Sequence, residues 1–406
     1  MKILSRFFVA VIFLCAGFLC AQSASVDELK KSVVEIGKLD FRRDVPVRYL
    51  DRSQLKDYIE QLFEKDYPQE LAGKESELFF LMGFTAARIA LKPMRRTILM
   101  ENVGGMYNEK TKELLAIEEF RTLDMIHAPA LAHELRHAIQ DQHFNLAGVL
   151  GDYSDYDDRR LAALAAIEGD ATLIMIRQLG FDPELVGEAF SAENVLAFAA
   201  VSGTTALRDA PDVVKYQLLM PYLEGLKFSR EVLKRRNWHG LNRVLRQPPL
   251  SSEQILHPQK YFDQEKPVAV QISYRPASGQ RVHSGVIGEY FLDVLLADGS
   301  DVGAAASGWG GDSYAIYRNG PAATLLWEAH WDTPADALRF AAAFRGFLEK
   351  KFKVSFRDGR NQGRPFLAGN SPAGYFFLFP SNGKLFYARS TDRGQINELI
   401  SGGNYD

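Results

Sequence analysis

The chain has 406 residues, 47% hydrophobic and 24% charged, with a formal net charge of −3. That balance belongs to an ordinary globular protein longer than one core usually supports, so two domains are expected, and it excludes disorder, collagen and a membrane bundle. No block of five or more basic residues occurs, so nucleic acid is not an expected partner.

Residues 1–24 carry Lys2 and Arg6, an apolar run from Phe7 to Ala21, and small residues at its end. This is the layout of a signal peptide, and the run is shorter than the roughly 20 apolar residues that span a bilayer. It predicts an exported bacterial protein, periplasmic or secreted, with no stable membrane insertion after cleavage. Losing Lys2 and Arg6 takes the 48 basic residues to 46 against 51 acidic ones, a net charge near −5. Both cysteines, Cys15 and Cys20, lie in this leader. The mature chain then has no disulfide and no thiolate, and any zinc must be held by histidine and carboxylate.

Residues 26–92 read as mainly helical, with Ser53–Tyr67 carrying apolar residues at helical spacing behind a serine cap. The stretch TILMENVGGMYNEKTKELLAIEEF (97–120) reads as two β-leaning runs around a turn at Asn108–Thr111. A helix with Pro129 in its first turn follows, carrying His133, His137 and His143. The Asp-rich loop GDYSDYDD (151–158) is read as helix capping in preference to a calcium loop. It leads into a second helix over 159–178, and more helices run to about Trp238. An irregular proline-bearing segment, RQPPLSSEQILHPQKYF (246–262), precedes a change of texture near residue 270. Beyond it, SYAIYR and ATLLWEAHW read as strands and residues 333–352 as an amphipathic helix capped by Thr333. Residues 374–390 read as a hairpin on Asn382-Gly383. The expected fold class is α+β: a mainly helical region over 25–270 with a small β-hairpin, then a smaller α+β domain over 275–406.

The segment His133-Glu134-Leu135-Arg136-His137 is HExxH. Residues four apart on a helix share a face with Cβ atoms about 6 Å apart, so two imidazoles can occupy adjacent corners of one zinc tetrahedron. Glu134, one step round, points beside the metal and can take a proton from zinc-activated water. Two residues compete as third ligand. His143 has the spacing of HExxHxxGxxH, but Gln140 stands where the helix-breaking glycine is needed. Glu168 lies 31 residues after His137 in an apolar helix, AAIEGDAT, where a lone buried carboxylate requires a partner. Glu168 is favoured.

HExxH with a downstream glutamate resembles the gluzincin arrangement of zinc metallopeptidases. More narrowly, the chain is similar to a set of largely uncharacterised bacterial proteins with HELxHAxQDQHF, xEGDA, SxEQILHPxKY and GWGGD. These stand here at 133–144, 167–171, 251–261 and 308–312. The resemblance implies a zincin-like catalytic region, zinc ligands His133, His137 and Glu168, and Glu134 as base. It implies no particular substrate beyond a peptide or protein. Gluzincins add a His or Tyr that stabilises the oxyanion, and their motif for it is not recognisable here. His257 is the first candidate, followed by Tyr261 and Tyr222.

Asp141, one turn beyond His137, is a candidate to orient that imidazole. Asp170 is a candidate for a similar supporting role, although its offset of two from Glu168 turns it to another face. The hairpin offers an edge strand to which an extended peptide can add. GWGGD, Trp327 and Trp331 are read as a glycine turn and aromatic core in preference to a ligand site. The rival to a peptidase is a zinc-containing binding or assembly protein of the envelope. His143 or His257 closing the metal site as a fourth ligand would favour that rival.

Overall fold

Local sequence sets several helix starts. Ser25 accepts Glu28 N–H. Asp51, rather than Ser53, forms a capping box with Gln54, and Thr333 accepts Asp336 N–H with Pro334 at the first position. A computed structural model describes residues 25–401 and Gly402, except 102–103, 125–126, 155, 187–190, 202–204, 275, 277, 298–305 and 362–363. The leader, its two cysteines and Asp155 lie outside the described residues.

The chain opens with α1 (Val26–Gly37), β1 (Val47–Leu50), α2 (Arg52–Asp66), α3 (Gln69–Met82), α4 (Leu91–Glu101), β2 (Gly105–Asn108) and β3 (Glu113–Ile117). Then come α5 (His127–Phe144), α6 (Leu146–Leu150), α7 (Asp158–Gln178), α8 (Pro183–Val186), α9 (Ala192–Val201), α10 (Thr205–Asp209), α11 (Asp212–Leu241), α12 (Ser252–Leu256) and α13 (Pro258–Phe262). The rest is β4 (Gln280–Gly285), α14 (Gly288–Leu296), β5 (Trp309–Asn319), β6 (Ala322–Trp331), α15 (Pro334–Phe352), β7 (Ser355–Asn361), β8 (Arg364–Ser371), β9 (Gly374–Ser381), β10 (Lys384–Ser390) and α16 (Arg393–Gly402). The fold is α+β, with a helical N-terminal part and a sheet-based C-terminal part. Among the described residues no helix is long and apolar enough to cross a membrane.

The first sheet has the order β1-β3-β2, with β1 parallel and β2 antiparallel to β3. The second runs β4-β5-β6-β10-β9-β8-β7, all antiparallel. Two readings change. The run Thr97–Glu101 ends α4 instead of starting a strand, because Ile98 and Leu99 continue the buried face of Leu91 and Arg95. The four-residue β1 lies within the stretch expected to be helical. Buried Trp327 and Trp331 sit in an aromatic core with Phe340 and Phe344, and Trp309 is buried as well. One hydrophobic core draws residues from both the helical and the sheet-based part.

Helix α7 crosses α11 at glycines. A Cβ on Gly169 would stand 2.0 Å from the carbonyl oxygen of Gly225, and one on Gly225 would stand 2.2 Å from that of Ala165. The neighbour is backbone and cannot rotate away. Gly169→Ala is therefore expected to cost about 3 kcal/mol, read as a lower urea midpoint. An unchanged midpoint would show that the helices slide apart freely.

Three buried carboxylates stand where the parts meet, and Asp157 bridges them. Asp158 accepts Ser252 N–H (3.1 and 3.0 Å), and Asp157 accepts Val286 N–H (3.3 Å). Asp312 of GWGGD accepts Ile287 and Gly288 N–H, both at 2.8 Å, and Trp309 Nε1–H at 2.9 Å. SSEQILHP and GWGGD thus serve as a junction. Burial pushes Asp312 up to about 6, Glu253 up to about 7 and Asp293 up to about 8. An acid with a raised folded pKa stabilises the fold while protonated, fully below its unfolded pKa near 4, and the gain is lost as pH rises through the folded value. The melting temperature in EDTA is expected to fall between pH 5.5 and 8.5, with a shallower fall for Glu253→Gln. A flat profile in both proteins contradicts this.

Candidate metal centre

Helix α5 starts with Asp124 Oδ1 accepting His127 N–H at 2.8 Å. It is buried continuously from Ala128 to Asp141, with small and apolar residues between its polar ones. Helix α7 packs beside it and carries Glu168 to its face. His133, His137 and Glu168 are all fully buried.

Their ligand atoms form a tight triangle. His133 Nε2 is 2.9 Å from His137 Nε2 and 3.1 Å from Glu168 Oε2, and His137 Nε2 is 3.3 Å from the same oxygen. A metal tetrahedron with bonds of about 2.0–2.1 Å has edges of about 3.3 Å, so these separations approach those of three corners. Each Nε2 carries at most one proton, so hydrogen bonds alone cannot fill all three edges. Burial pushes Glu168 up, but the neighbouring imidazoles of His137 and His133 outweigh it and hold the carboxyl at about 2. Glu168 Oε1 is also buried without a hydrogen-bond partner. An anion with an orphaned oxygen in a dry interior is costly unless a cation compensates it. The two-histidine, one-carboxylate donor set fits zinc.

Glu134 is buried beside the triangle, and its Oε2 accepts Tyr107 N–H from β2 at 2.7 Å. In the β2–β3 register, Gly105 and Tyr107 turn their backbone groups away from β3. The edge strand was expected to receive a peptide, but its Tyr107 N–H is taken by Glu134. Tyr222 of α11, a third-choice oxyanion candidate, stacks near His133 with ring centroids 6.1 Å apart.

Other candidates are placed elsewhere. His143 Nε2 lies 2.8 Å from the Asp40 carbonyl. His257, first choice for the oxyanion, has its Nε2 2.9 Å from Glu289 Oε1. Its segment is anchored at Asp158, ten residues from Glu168 along α7, about 15 Å away at 1.5 Å per residue. Tyr261 donates to the Gln247 carbonyl. Asp141 does not orient His137: its Oδ2 accepts from Tyr107 Oη (2.9 Å) and Lys112 Nζ (2.6 Å), tying the hairpin to α5.

Asp170 reaches α5 despite its offset, because Arg136 and Gln140 are long enough to meet it. Arg136 donates to its two oxygens at 2.8 and 3.0 Å, and Gln140 Nε2 donates to Oδ2 at 2.8 Å. Gln140, read in the sequence only as a missing glycine, touches His137, and its i+3 spacing was the available signal. Tyr107 had none, since its contact depends on how the hairpin docks. Glu253, Glu265 and Asp332 also converge, but Lys260 Nζ lies within 2.6–2.8 Å of all three and supplies the cation.

A model of a domain of unknown function (DUF8575) matches residues 275–373, from just before β4 into the β8–β9 turn and outside the triangle. No curated protein and no solved structure matches the chain.

Proposed function

We propose that the protein is an exported zinc-dependent peptidase acting on peptides or proteins of the bacterial envelope. The observation that carries the reading is the His133–His137–Glu168 triangle with Glu134 beside it. Among the described residues, no fourth histidine, cysteine or carboxylate joins that group, which suits a site that leaves one corner to substrate or water. His133, His137 and Glu168 would hold the ion. Zinc, when bound, supplies Lewis-acid polarisation of the scissile carbonyl and a lowered pKa for water.

Glu134 takes the proton from the attacking water and returns it to the leaving amine. Tyr107 N–H fixes the angle of that carboxylate, and the packed ring of Tyr222 excludes water beside His133. Complete burial of the three ligand side chains favours a second reading, a zinc-containing binding or assembly protein without proteolysis. Hydrolysis of casein or a peptide library by the zinc-loaded protein separates the two, and absence of cutting across such a library removes the peptidase reading.

A further inference from the structure

His137 is held from behind by a polar chain. Gln140 is fully buried one turn further along α5, and its Oε1 lies 2.8 Å from His137 Nδ1. Its other amide atom settles which way the group faces. Nε2 donates to the Ile167 carbonyl at 3.0 Å and to Asp170 Oδ2 at 2.8 Å. A carbonyl and a carboxylate only accept, so the amide NH2 belongs on that side and the oxygen faces the imidazole. The ring must then carry its proton on Nδ1, which leaves the lone pair on Nε2, the atom in the triangle. Reversing the amide would break the two hydrogen bonds to Ile167 and Asp170 in a buried site, each unmade group costing about 1–3 kcal/mol.

Asp170 is itself fixed by the paired bonds from Arg136. Arg136 also donates to Asn242, whose amide donates to the Gly37 carbonyl at 2.9 Å. The chain thus runs from the end of α1 to one nitrogen of His137. His133 differs: its Nδ1 is buried without a hydrogen-bond partner. The two histidines are supported unequally, His137 by hydrogen bonds and His133 by packing.

We infer that Gln140 is a positioning residue that presents His137 through Nε2, with Asp170 and Arg136 setting the sense of its amide. This rests on the metal-centre reading. A neutral amide in this role leaves the centre's charge to Glu168 and Glu134, whereas a carboxylate there would add another negative charge.

The test is a Zn2+ titration against a chromophoric chelator, with histidine-selective 15N NMR of the zinc-loaded protein. Gln140→Met is expected to weaken zinc binding 10–100-fold, the range for losing a group that orients a metal ligand. It should also expose the His137 Nδ1 proton to faster exchange, while the fold persists in EDTA with a melting temperature lowered by the lost hydrogen bonds. Gln140→Glu, protonated on the Asp170 side, still offers an oxygen to His137 and should recover most of the affinity. A change in stability alone would quicken exchange across the chain, whereas loss of this contact quickens it at His137.

Equal zinc affinity and unchanged exchange in Gln140→Met overturn the relay while the metal centre stands. No zinc binding by the wild type, or equal binding by Glu168→Ala, overturns the metal centre and the relay together. If Gln140→Met does not fold, the wild-type spectrum decides: a metal on His137 Nδ1, with the proton on Nε2, overturns the inference.

Discussion

Glu168→Ala is expected to weaken zinc binding by about a thousandfold or more, beyond the 10–100-fold typical of groups that only orient a ligand, while His143→Ala leaves it unchanged. Glu168 supplies the third atom of the triangle and its only formal negative charge, whereas His143 faces a backbone carbonyl of Asp40. Stability should fall in both states of the same variant, and further with zinc than without it. With zinc in excess, the wild type gains RT ln(1 + [Zn]/Kd), about 2.7 kcal/mol at a hundred times Kd, and Glu168→Ala loses that gain. In EDTA the substitution still removes the carboxylate that the two buried imidazoles face, so the variant should be less stable than the wild type there as well. Melting curves with and without zinc read both effects. Zinc binding that falls equally in His143→Ala would mean that His143, against its position here, is the third ligand.

The triangle was the most legible part of the chain because each half is local. HExxH places two imidazoles on one helix face wherever a helix forms, and an apolar helix with one glutamate shows that the glutamate must meet something. The supporting residues were less legible in proportion to their distance from the motif. Gln140 is three residues from His137 and could have been assigned by spacing. Asp170 supports the centre as its candidacy required, although helical offset describes only Cβ directions, because Arg136 and Gln140 carry their polar atoms well beyond them. Tyr107 reaches Glu134 only through the docking of β2 on α5, which no local pattern encodes. His257 failed for a similar reason: its segment is held at the start of α7 by Asp158, so an irregular His-Pro stretch serves a junction instead of the cleft. The fold shows the same divide. The Asn382-Gly383 hairpin and the Thr333 cap are written in single turns, whereas β1 exists only because it pairs in parallel with β3, 67 residues later.

Glu134→Gln is expected to keep its zinc and lose hydrolysis by at least about a hundredfold, the lower end of what a general acid–base contributes. Glutamine is nearly isosteric, and its amide oxygen can still accept Tyr107 N–H, now 2.7 Å from the carboxylate. The hairpin should therefore stay docked and the neighbouring ligands unmoved. What the amide cannot do is accept a proton from water, so the loss should fall on turnover, with zinc content and melting temperature preserved. Undiminished hydrolysis would remove Glu134 from the reaction, and loss of zinc would make it a structural part of the centre. The same variant addresses the buried site. A peptide that reaches the metal must pass the packing that leaves Glu134 only 3% exposed, and an inactive protein with its zinc in place should hold that peptide uncut. Peptides retained by Glu134→Gln but not by Glu168→Ala would identify the substrate by direct capture. If both variants retain the same peptides, recognition occurs away from the metal, as the assembly-protein reading requires.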